Sequence, residues 1–220
     1  NISHELRTPL ASIVGFSETI ASDPNMPVEM RNEFNLIILN EGKRLAKLIN
    51  DVLDLSRMET GRIAINKSKV NIIKLIQRMI NNNRGLIDAK NLSLTTELPS
   101  DEIIIEVDEE RLLQALDSLM DNSIKFTNEG GRIKVILNNL YREVEIVITD
   151  TGIGIPAKDI PFLFQKFYKV NRPDSDIPGA GMGLVFVKQI VDLHKGLINI
   201  QSEPNKGTSV LIKLLKSNRD

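Results

Sequence analysis

The sequence DTGIGIP at residues 150–156 follows a run rich in β-branched residues that predicts a strand near 143–149. Glycines let a backbone approach a ligand closely, and an Asp at a strand end can accept a hydrogen bond from an exocyclic amine such as that of adenine. A Gly-x-Gly pair alone is weak evidence, because it also marks ordinary turns. The stretch therefore predicts a strand followed by a loop that is a candidate nucleotide site.

The residues around this loop alternate between helical and strand patterns from Val70 onward. Strands are predicted near 92–97, 103–107, 132–139, 143–149, 197–202 and 208–215, and helices near 71–88, at 109–126 and up to about His194. This order favours an α+β sandwich in which one sheet carries helices on one face.

The amino-terminal part is purely helical in pattern. Apolar residues at helical spacing predict a helix over residues 1–22, with Pro9 bending it, and the sequence DPNMP at 23–27 breaks the chain. A second helix is predicted over 28–58. Its apolar seam comprises Phe34, Ile38, Leu45, Leu48, Val52 and Leu55.

This seam needs a partner, and Ile37, Leu39 and Ile49 lie off it. A homodimeric four-helix bundle would bury both the seam and these other apolar residues. Packing of the helices on the rest of the same chain is the alternative that stays open. Gly61 stands in the usual position to end the helix. We therefore expect a dimerisation domain at 1–60, a linker at 61–69 and a second domain at 70–220.

Composition narrows the possible partners and surroundings. Lys and Arg number 28 against 29 Asp and Glu, so no positive field attracts nucleic acid or anionic lipid. No cysteine is present, which excludes disulfides and thiolate metal sites and fits a reducing cytoplasm. The apolar runs are far shorter than the roughly 20 residues that span a bilayer. Because the chain begins at Asn1 without Met, we expect a fragment, with membrane contact only through a region upstream.

The sequence HELRTP at residues 4–9 places a potential nucleophile on the first helix. A neutral imidazole nitrogen of His4 carries a lone pair near neutral pH, and the adjacent Glu5 can fix the ring tautomer. Thr8 lies one helical turn away on the same face, so its hydroxyl is within reach of a phosphate carried by His4. A histidine on a helix is more often an ordinary polar surface residue. The catalytic interpretation of this motif therefore depends on the other motifs in the sequence.

Three further motifs fit phosphate chemistry, and the first two also have an ordinary alternative. In DNSIKFT at 121–127, Asn122 offers an amide oxygen suited to Mg²⁺ and Lys125 offers a positive charge, or both are simply solvent-facing. GAGMGL at 179–184 precedes an apolar helix, whose first backbone N–H groups could bind phosphate. The ordinary alternative is a flexible hinge. The aromatic run at 162–169 fits an anchor for a mobile lid.

Taken in order, these motifs resemble the H, N, G1, F and G2 boxes of sensor histidine kinases. HELRTPL at 4–10, DNSIKFT at 121–127, DTGIGIP at 150–156, FQKFY at 164–168 and GAGMGL at 179–184 carry the resemblance. It covers essentially the whole chain. The resemblance implies a helical hairpin that dimerises into a four-helix bundle, followed by an α/β sandwich that binds ATP, as in gyrase, a heat-shock chaperone and mismatch-repair ATPases.

The resemblance also implies roles for individual residues. His4 would be the phosphoacceptor, Glu5 its acid/base partner, and Thr8 a residue that assists dephosphorylation of a response regulator. Asn122 would hold Mg²⁺ and take part in catalysis, and Asp150 would recognise adenine. The remaining ATP-binding positions implied by the family are Lys125, Phe126, Gly152, Gly154, Tyr168, Lys169, Gly181, Gly183, Leu184 and Thr208.

Two positions depart from the family pattern. Ser118 stands where the N box usually begins with Asn, and a hydroxyl cannot present both amide functions. Ala180 replaces the Thr common in the G2 box. We expect nucleotide binding to survive and the catalytic geometry to be weaker.

The implied function is ATP-dependent phosphorylation of His4 and transfer of the phosphoryl group to an aspartate of a response regulator, with phosphatase activity toward that regulator. Two alternatives stay open. One is an ATPase-driven conformational machine of the gyrase type, and the other is a nucleotide-binding dimeric scaffold without kinase activity, suggested by Ser118.

Overall fold

The computed structural model describes residues 2–59, 64–171 and 181–216. The chain forms two compact units that divide between Ile63 and Ala64. The predicted helix stop at Gly61 and the first part of the predicted linker, residues 61–63, lie outside the described residues. The last two residues of that linker, Ser68 and Lys69, lie in a strand of the second unit.

The first unit is a hairpin of helices α1, Ile2–Ser22, and α2, Val28–Glu59, as the sequence predicts. The connection is a turn in which the Asp23 carboxylate accepts a hydrogen bond from the backbone N–H of Asn25 at 3.1 Å. The rings of Phe16 and Phe34 pack with their centroids 5.0 Å apart. This contact joins the apolar stripe of α1 to the predicted seam of α2.

The seam of α2 is therefore occupied in part within a single chain. Leu48 and Leu55 are buried, and the other four seam residues are half-buried. A second set of apolar side chains on the hairpin is exposed: Leu10, Val14, Leu36, Leu39, Ile49 and Leu53. At 3.6 residues per turn, Leu39 and Leu48 lie on opposite sides of α2, so the exposed set forms a stripe distinct from the seam.

The second unit contains three helices and seven strands among its described residues. The strands are β1 (Ser68–Asn71), β2 (Ser93–Glu97), β3 (Ile104–Val107), β4 (Arg132–Asn139), β5 (Glu143–Asp150), β6 (Leu197–Glu203) and β7 (Gly207–Leu215). The helices are α3 (Ile72–Ala89), α4 (Glu109–Phe126) and α5 (Gly183–Leu193), with a short 3₁₀ turn at Ile160–Phe162.

These strands form two sheets rather than the single sheet that the sequence predicts. The main sheet has the order β2-β4-β5-β7-β6, with β2 parallel to β4 and the other pairs antiparallel. The prediction of one sheet is wrong because β3 pairs instead with β1, a four-residue strand that lies partly in the predicted linker. The fold class, a helical hairpin followed by an α/β sandwich, is confirmed.

Alternating burial in the central strands defines the core of the second unit. Ile133, Val135 and Leu137 of β4 are buried while their neighbours are not, which is the period expected of a sheet covered on one face. Helix α3 begins at a capping side chain: the Asn71 carboxamide accepts from the N–H groups of Ile73 and Lys74. Across the described ranges, no helix has both the length and the apolar content that spanning a bilayer requires.

Candidate active site

The carboxylate of Asp150 lies at the end of β5 and is 6% exposed. Its Oδ1 accepts hydrogen bonds from the backbone N–H groups of Gly152 at 2.9 Å and of Thr208 at 3.2 Å. Its Oδ2 accepts from the Ser123 hydroxyl of α4 at 3.2 Å. The side chain is thus held by the following loop, by the neighbouring strand β7 and by a helix.

Burial raises the pKa of the Asp150 carboxyl, and the hydrogen bonds from Gly152, Ser123 and Thr208 oppose this shift. The described surroundings contribute dipolar donors and no ion pair to this carboxylate. A buried carboxylate supported by neutral donors is a strong acceptor for a donor group of a ligand.

Glycines allow the backbone to close tightly around Asp150. A Cβ on Gly152 would lie 2.4 Å from the carbonyl oxygen of Phe126, and that carbonyl accepts from the N–H of Ile153 at 3.0 Å. Gly154 has a φ of +67°, and a Cβ there would lie 1.9 Å from the carbonyl oxygen of Glu203. Both predicted glycines are therefore required by backbone approach, and the loop after β5 is fixed on two sides.

Thr208 belongs to a hydroxyl network that the sequence did not reveal. Its Oγ1 lies 2.9 Å from Oγ of Ser202, which also donates to the carbonyl of Gly207 at 2.8 Å. The same Ser202 oxygen accepts from the N–H of Ile155 at 2.8 Å. The strands β6 and β7 thereby hold the glycine loop. Ser202 follows an ordinary strand pattern, so only the three-dimensional register identifies it.

Helix α4 presents the predicted phosphate and metal residues near its carboxyl end. Asn122, Lys125 and Phe126 are all half-buried, and Lys125 Nζ lies 5.8 Å from the centre of the Phe126 ring. A Cβ on Gly183 would lie 3.0 Å from Ser118 Oγ and 3.8 Å from Asn122 Nδ2. Ser118 and Asn122 therefore share the face of α4 that meets the start of α5.

Lys90 is a further contributor that sequence reasoning missed. Its Nζ donates to the carbonyl oxygens of Ile124 at 2.7 Å and Lys125 at 3.0 Å. These carbonyls lie in the last turn of α4, where they lack partners within the helix, and a cation there also complements the helix dipole. Lys90 stands just after α3, and no local pattern links it to the end of α4.

The aromatic segment is anchored by a buried acid. The hydroxyl of Tyr168 donates to Asp159 Oδ1 at 2.6 Å, which raises the pKa of the phenol, and its ring packs on Phe162 with centroids 5.6 Å apart. Lys169 is exposed. The structure thus ties Tyr168 to its own segment rather than to Asp150.

Gly181 joins this segment to the start of α5. Its carbonyl accepts from the N–H of Phe167 at 3.1 Å, and a Cβ on Gly181, whose φ is +66°, would lie 2.6 Å from the carbonyl of Tyr168. Leu184, in the first turn of α5, is half-buried. Gly179 and Ala180, the first residues of the predicted G2 box, lie outside the described residues.

A protein site for Mg²⁺ needs oxygen ligands. Within residues 2–59, 64–171 and 181–216, no cluster of three or more His, Asp or Glu side chains is placed to hold a metal ion. A magnesium ion that reaches this site with a nucleotide keeps water and phosphate oxygens as ligands and needs few from the protein. The half-buried amide of Asn122 fits that requirement.

The predicted phosphoacceptor group lies on α1 in the first unit. His4 is exposed and Glu5 is half-buried. The Thr8 hydroxyl donates to the backbone carbonyl of His4 at 3.2 Å, which orients it along the helix toward the histidine turn. Pro9 is buried. The face that carries His4 and Thr8 is therefore open to solvent.

The predicted residues thus form four local groups. Asp150, Gly152 and Thr208 are joined directly, Asn122 meets the start of α5 at Gly183, and Gly181 meets Tyr168. His4, Glu5 and Thr8 share one turn of α1.

Ser123 is not among the predicted residues, although it lies among the buried residues of α4. A polar residue on an otherwise apolar helix face was the signal that could have identified it.

Family comparisons match both units. Residues 1–61 match the family described as His Kinase A (phospho-acceptor) domain, and residues 107–218 match the histidine kinase-, DNA gyrase B-, and HSP90-like ATPases. The second match alone covers about half of the chain and includes α4, the glycine loop and β7.

Curated relatives extend the similarity over nearly the full chain. The sensor protein kinase WalK of Staphylococcus saprophyticus is 34% identical over 97% of this chain and 35% of its own length. A WalK protein of Staphylococcus aureus is 33% identical over 97% of this chain and 52% of its own length. The chain therefore spans about a third to a half of these relatives.

Solved structures share the fold. The Acinetobacter baumannii histidine kinase AdeS is 25% identical with a TM-score of 0.81, covering 98% of each chain. ThkA, solved in complex with the response regulator protein TrrA, has a TM-score of 0.79 at 23% identity, covering 98% of this chain and 60% of that one. On these matches and on the site geometry, the chain belongs to the sensor histidine kinases, with a His Kinase A phospho-acceptor domain and an ATPase domain of the histidine kinase, DNA gyrase B and HSP90 type.

Proposed function

We propose that this chain phosphorylates His4 with ATP and passes the phosphoryl group to an aspartate of a response regulator. The observation that carries the proposal is the buried Asp150 carboxylate, which is surrounded by obligatory glycines, in a chain that also exposes His4 beside Glu5 on α1. The family match and the sensor kinase names of the relatives support the same activity.

The proposed transfer uses the two units for separate tasks. A ring nitrogen of His4 attacks the γ-phosphorus, the bond to the bridging oxygen breaks, and ADP leaves while Glu5 takes the ring proton. Asp150 accepts from the adenine amine, and Lys125 and Lys169 meet phosphate oxygens. Gly152, Gly154, Gly181, Gly183, Leu184, Phe126, Tyr168 and Thr208 complete the nucleotide site in this proposal. Phosphoryl transfer depends mainly on positioning and charge neutralisation, which suits this division.

Magnesium is the metal that we assign to the site, with Asn122 as its protein ligand. When bound, Mg²⁺ would neutralise phosphate charge at the reacting centre. Ser118 shares the face of α4 with Asn122 but has a shorter side chain than the Asn usual there. We therefore expect ATP binding to be intact and the rate of phosphorylation to be modest.

The remaining parts of the proposal concern assembly and surroundings. The exposed apolar stripe on the hairpin supports a homodimer through residues 1–60, since a second hairpin would cover it. The connection between the two units, which divide between Ile63 and Ala64, would let the second unit reach His4. The relatives are named sensor protein kinases and are longer than this chain. We therefore place it in the cytoplasmic portion of a longer sensor, with membrane contact confined to a region upstream.

A scaffold without kinase activity is the second candidate, and Ser118 is the observation that favours it. Labelled ATP separates the kinase, the scaffold and a gyrase-type ATPase. We expect the γ-phosphate to appear on the chain and then on a purified receiver domain of a response regulator, and we expect Thr8 to assist its later removal. ATP binding without label on either protein supports the scaffold. Steady release of phosphate without label on either protein supports a gyrase-type ATPase machine.

A further inference from the structure

Among the described residues, Ser123 makes the one side-chain hydrogen bond to Asp150. Its hydroxyl donates to Asp150 Oδ2 at 3.2 Å, and the two residues are 4% and 6% exposed. A serine inside a helix commonly donates back to a carbonyl one turn earlier. Thr127 does so, donating to the carbonyl of Ser123 at 2.6 Å. The Ser123 hydroxyl instead points across to the end of β5.

Counting acceptor sites shows what this contact leaves for a ligand. An ionised carboxylate has about four lone-pair positions, two on each oxygen. Gly152 and Thr208 donate to Oδ1, and Ser123 donates to Oδ2. One acceptor position is left, on Oδ2. If the Asp150 carboxyl were neutral, its proton would occupy one acceptor position and turn it into a donor. That position could then no longer accept a hydrogen bond from an amine.

The position of Ser123 in α4 gives the contact a second consequence. Ser123 directly follows Asn122 and precedes Lys125 by two residues. One hydroxyl therefore joins the carboxylate at the end of β5 to the helix turn that carries the proposed metal and phosphate residues. The Lys90 ammonium holds the last carbonyls of that turn. The two ends of the nucleotide site share a single rigid support.

We propose that Ser123 is a positioning residue for the nucleotide base, which holds Asp150 ionised and oriented so that its last acceptor position on Oδ2 receives an exocyclic amine. This inference rests on the proposed function, in which Asp150 recognises adenine. It adds a residue that acts through Asp150 and does not itself contact the reacting phosphate.

The test is calorimetric titration of ATP into the whole chain at several pH values. Ser123→Ala removes the donor, and Ser123→Cys keeps the volume but replaces the hydroxyl with a weak donor. A hydrogen bond to a buried charge is large enough that we expect both variants to bind ATP about tenfold more weakly at neutral pH. Both should also lose affinity on acidification at a higher pH than the wild type, since the Asp150 carboxylate then lacks one stabilising donor.

Ser209→Ala is the matched control. Ser209 follows Thr208 in β7, and its hydroxyl lies 3.0 Å from that of Thr149, which precedes Asp150 in β5. The substitution therefore removes a hydroxyl close to the site that does not hydrogen-bond to Asp150. We expect its affinity and pH profile to follow the wild type. The inference is overturned if both Ser123 variants keep the wild-type pH profile, or if Ser209→Ala reproduces their shift. A wild-type chain that does not bind ATP would instead contradict the proposed function, so the two failures are distinguishable.

Discussion

The backbone N–H of Asp108 donates a hydrogen bond to Nε2 of His194 at 2.9 Å, in a region where both residues are buried. An N–H can only donate, so Nε2 carries the lone pair and the ring proton is on Nδ1, which donates to the carbonyl of Ile190 at 2.8 Å. The Asp108 carboxylate caps α4 through the N–H of Arg111. A neutral histidine thus links the end of α5 to the start of the helix that carries Asn122.

This link predicts that the second unit loses stability on acidification. Burial lowers the pKa of His194 below its ordinary 6.5. In the unfolded chain His194 binds a proton near pH 6.5, whereas in the folded chain it does so only at lower pH. The stability of the folded chain is therefore fully present above pH 6.5 and falls as the pH drops toward the folded pKa of His194. The two tyrosines, Tyr141 and Tyr168, both lie in the second unit, so tyrosine fluorescence during urea unfolding measures this effect.

His194→Phe is the variant that isolates the contribution. It leaves the buried N–H of Asp108 without its acceptor, and we expect a loss of about 1–3 kcal/mol at neutral pH. Because phenylalanine does not titrate, the difference between variant and wild type should narrow below pH 6.5. A difference that stays constant with pH would show that protonation of His194 is not linked to unfolding.

Gly154 is predicted to be intolerant of any side chain. Gly154→Ala would force a left-handed backbone on alanine and bring its Cβ against the carbonyl of Glu203. We expect a loss of about 1–3 kcal/mol together with weaker ATP binding, because the loop is displaced. Gly85→Ala in α3 is the control: it meets open space, and we expect it to stabilise by about 0.5–1 kcal/mol. Equal effects of the two changes in thermal unfolding would contradict this account.

The sequence was most informative where local chemistry determines structure. The bounds of α4, Glu109–Phe126, follow from a capping Asp108 and a regular apolar face, and both are visible in the sequence. The strand β1 was missed because four residues in a polar context carry too little pattern, and its partner β3 is more than thirty residues away. Pairing at that distance is decided by tertiary packing and not by propensity.

The same distinction holds for the site. Asp150 and its glycines were predicted because backbone approach requires glycine at fixed spacing from the strand end. Lys90 was missed because its contact crosses between elements and no local property of a Lys marks such a contact. Ser123 stood out as a polar residue on the apolar face of α4, but the sequence could not identify Asp150 as its partner. Side chains that act through a neighbour are identified only once the elements are placed.

The apolar stripe on the hairpin predicts where the dimer can be broken. Leu39 is 51% exposed in the single chain, whereas Leu48 is already buried, so a charge at Leu39 acts on association more than on folding of the hairpin. We expect Leu39→Asp to convert a dimer into a monomer, measured by light scattering. Asn40→Asp adds the same charge to an exposed neighbour, and its mass should match the wild type. A Leu39→Asp chain that remained a dimer would place the interface elsewhere.

Thr8 and Glu5 are predicted to divide two activities along one turn of α1. The Thr8 hydroxyl donates to the carbonyl of His4 and has no contact that activates the imidazole in the described structure. We expect Thr8→Ala to phosphorylate His4 nearly as the wild type does while removing phosphate from the regulator more slowly. Glu5→Gln should do the reverse, because it loses the charge that orients the ring and stabilises its positive form.

Paired assays of phosphate gain on the chain and phosphate loss from a purified, phosphorylated regulator test this division. Ser17→Ala, an exposed hydroxyl elsewhere on α1, is the control and should leave both rates unchanged. Loss of both activities together in Thr8→Ala, or full phosphorylation in Glu5→Gln, would contradict the assigned roles.

The central claim is that His4 receives the γ-phosphate. The chain contains two histidines, and the other, His194, is buried with both ring nitrogens in hydrogen bonds. A phosphohistidine in the folded chain must therefore be at His4. The most direct measurement is the stability of the label from γ-labelled ATP in acid and in alkali, on the wild type and on His4→Gln. We predict a label that acid removes and alkali spares, and that is absent from His4→Gln. An acid-stable label, or one that persists in His4→Gln, would contradict the claim.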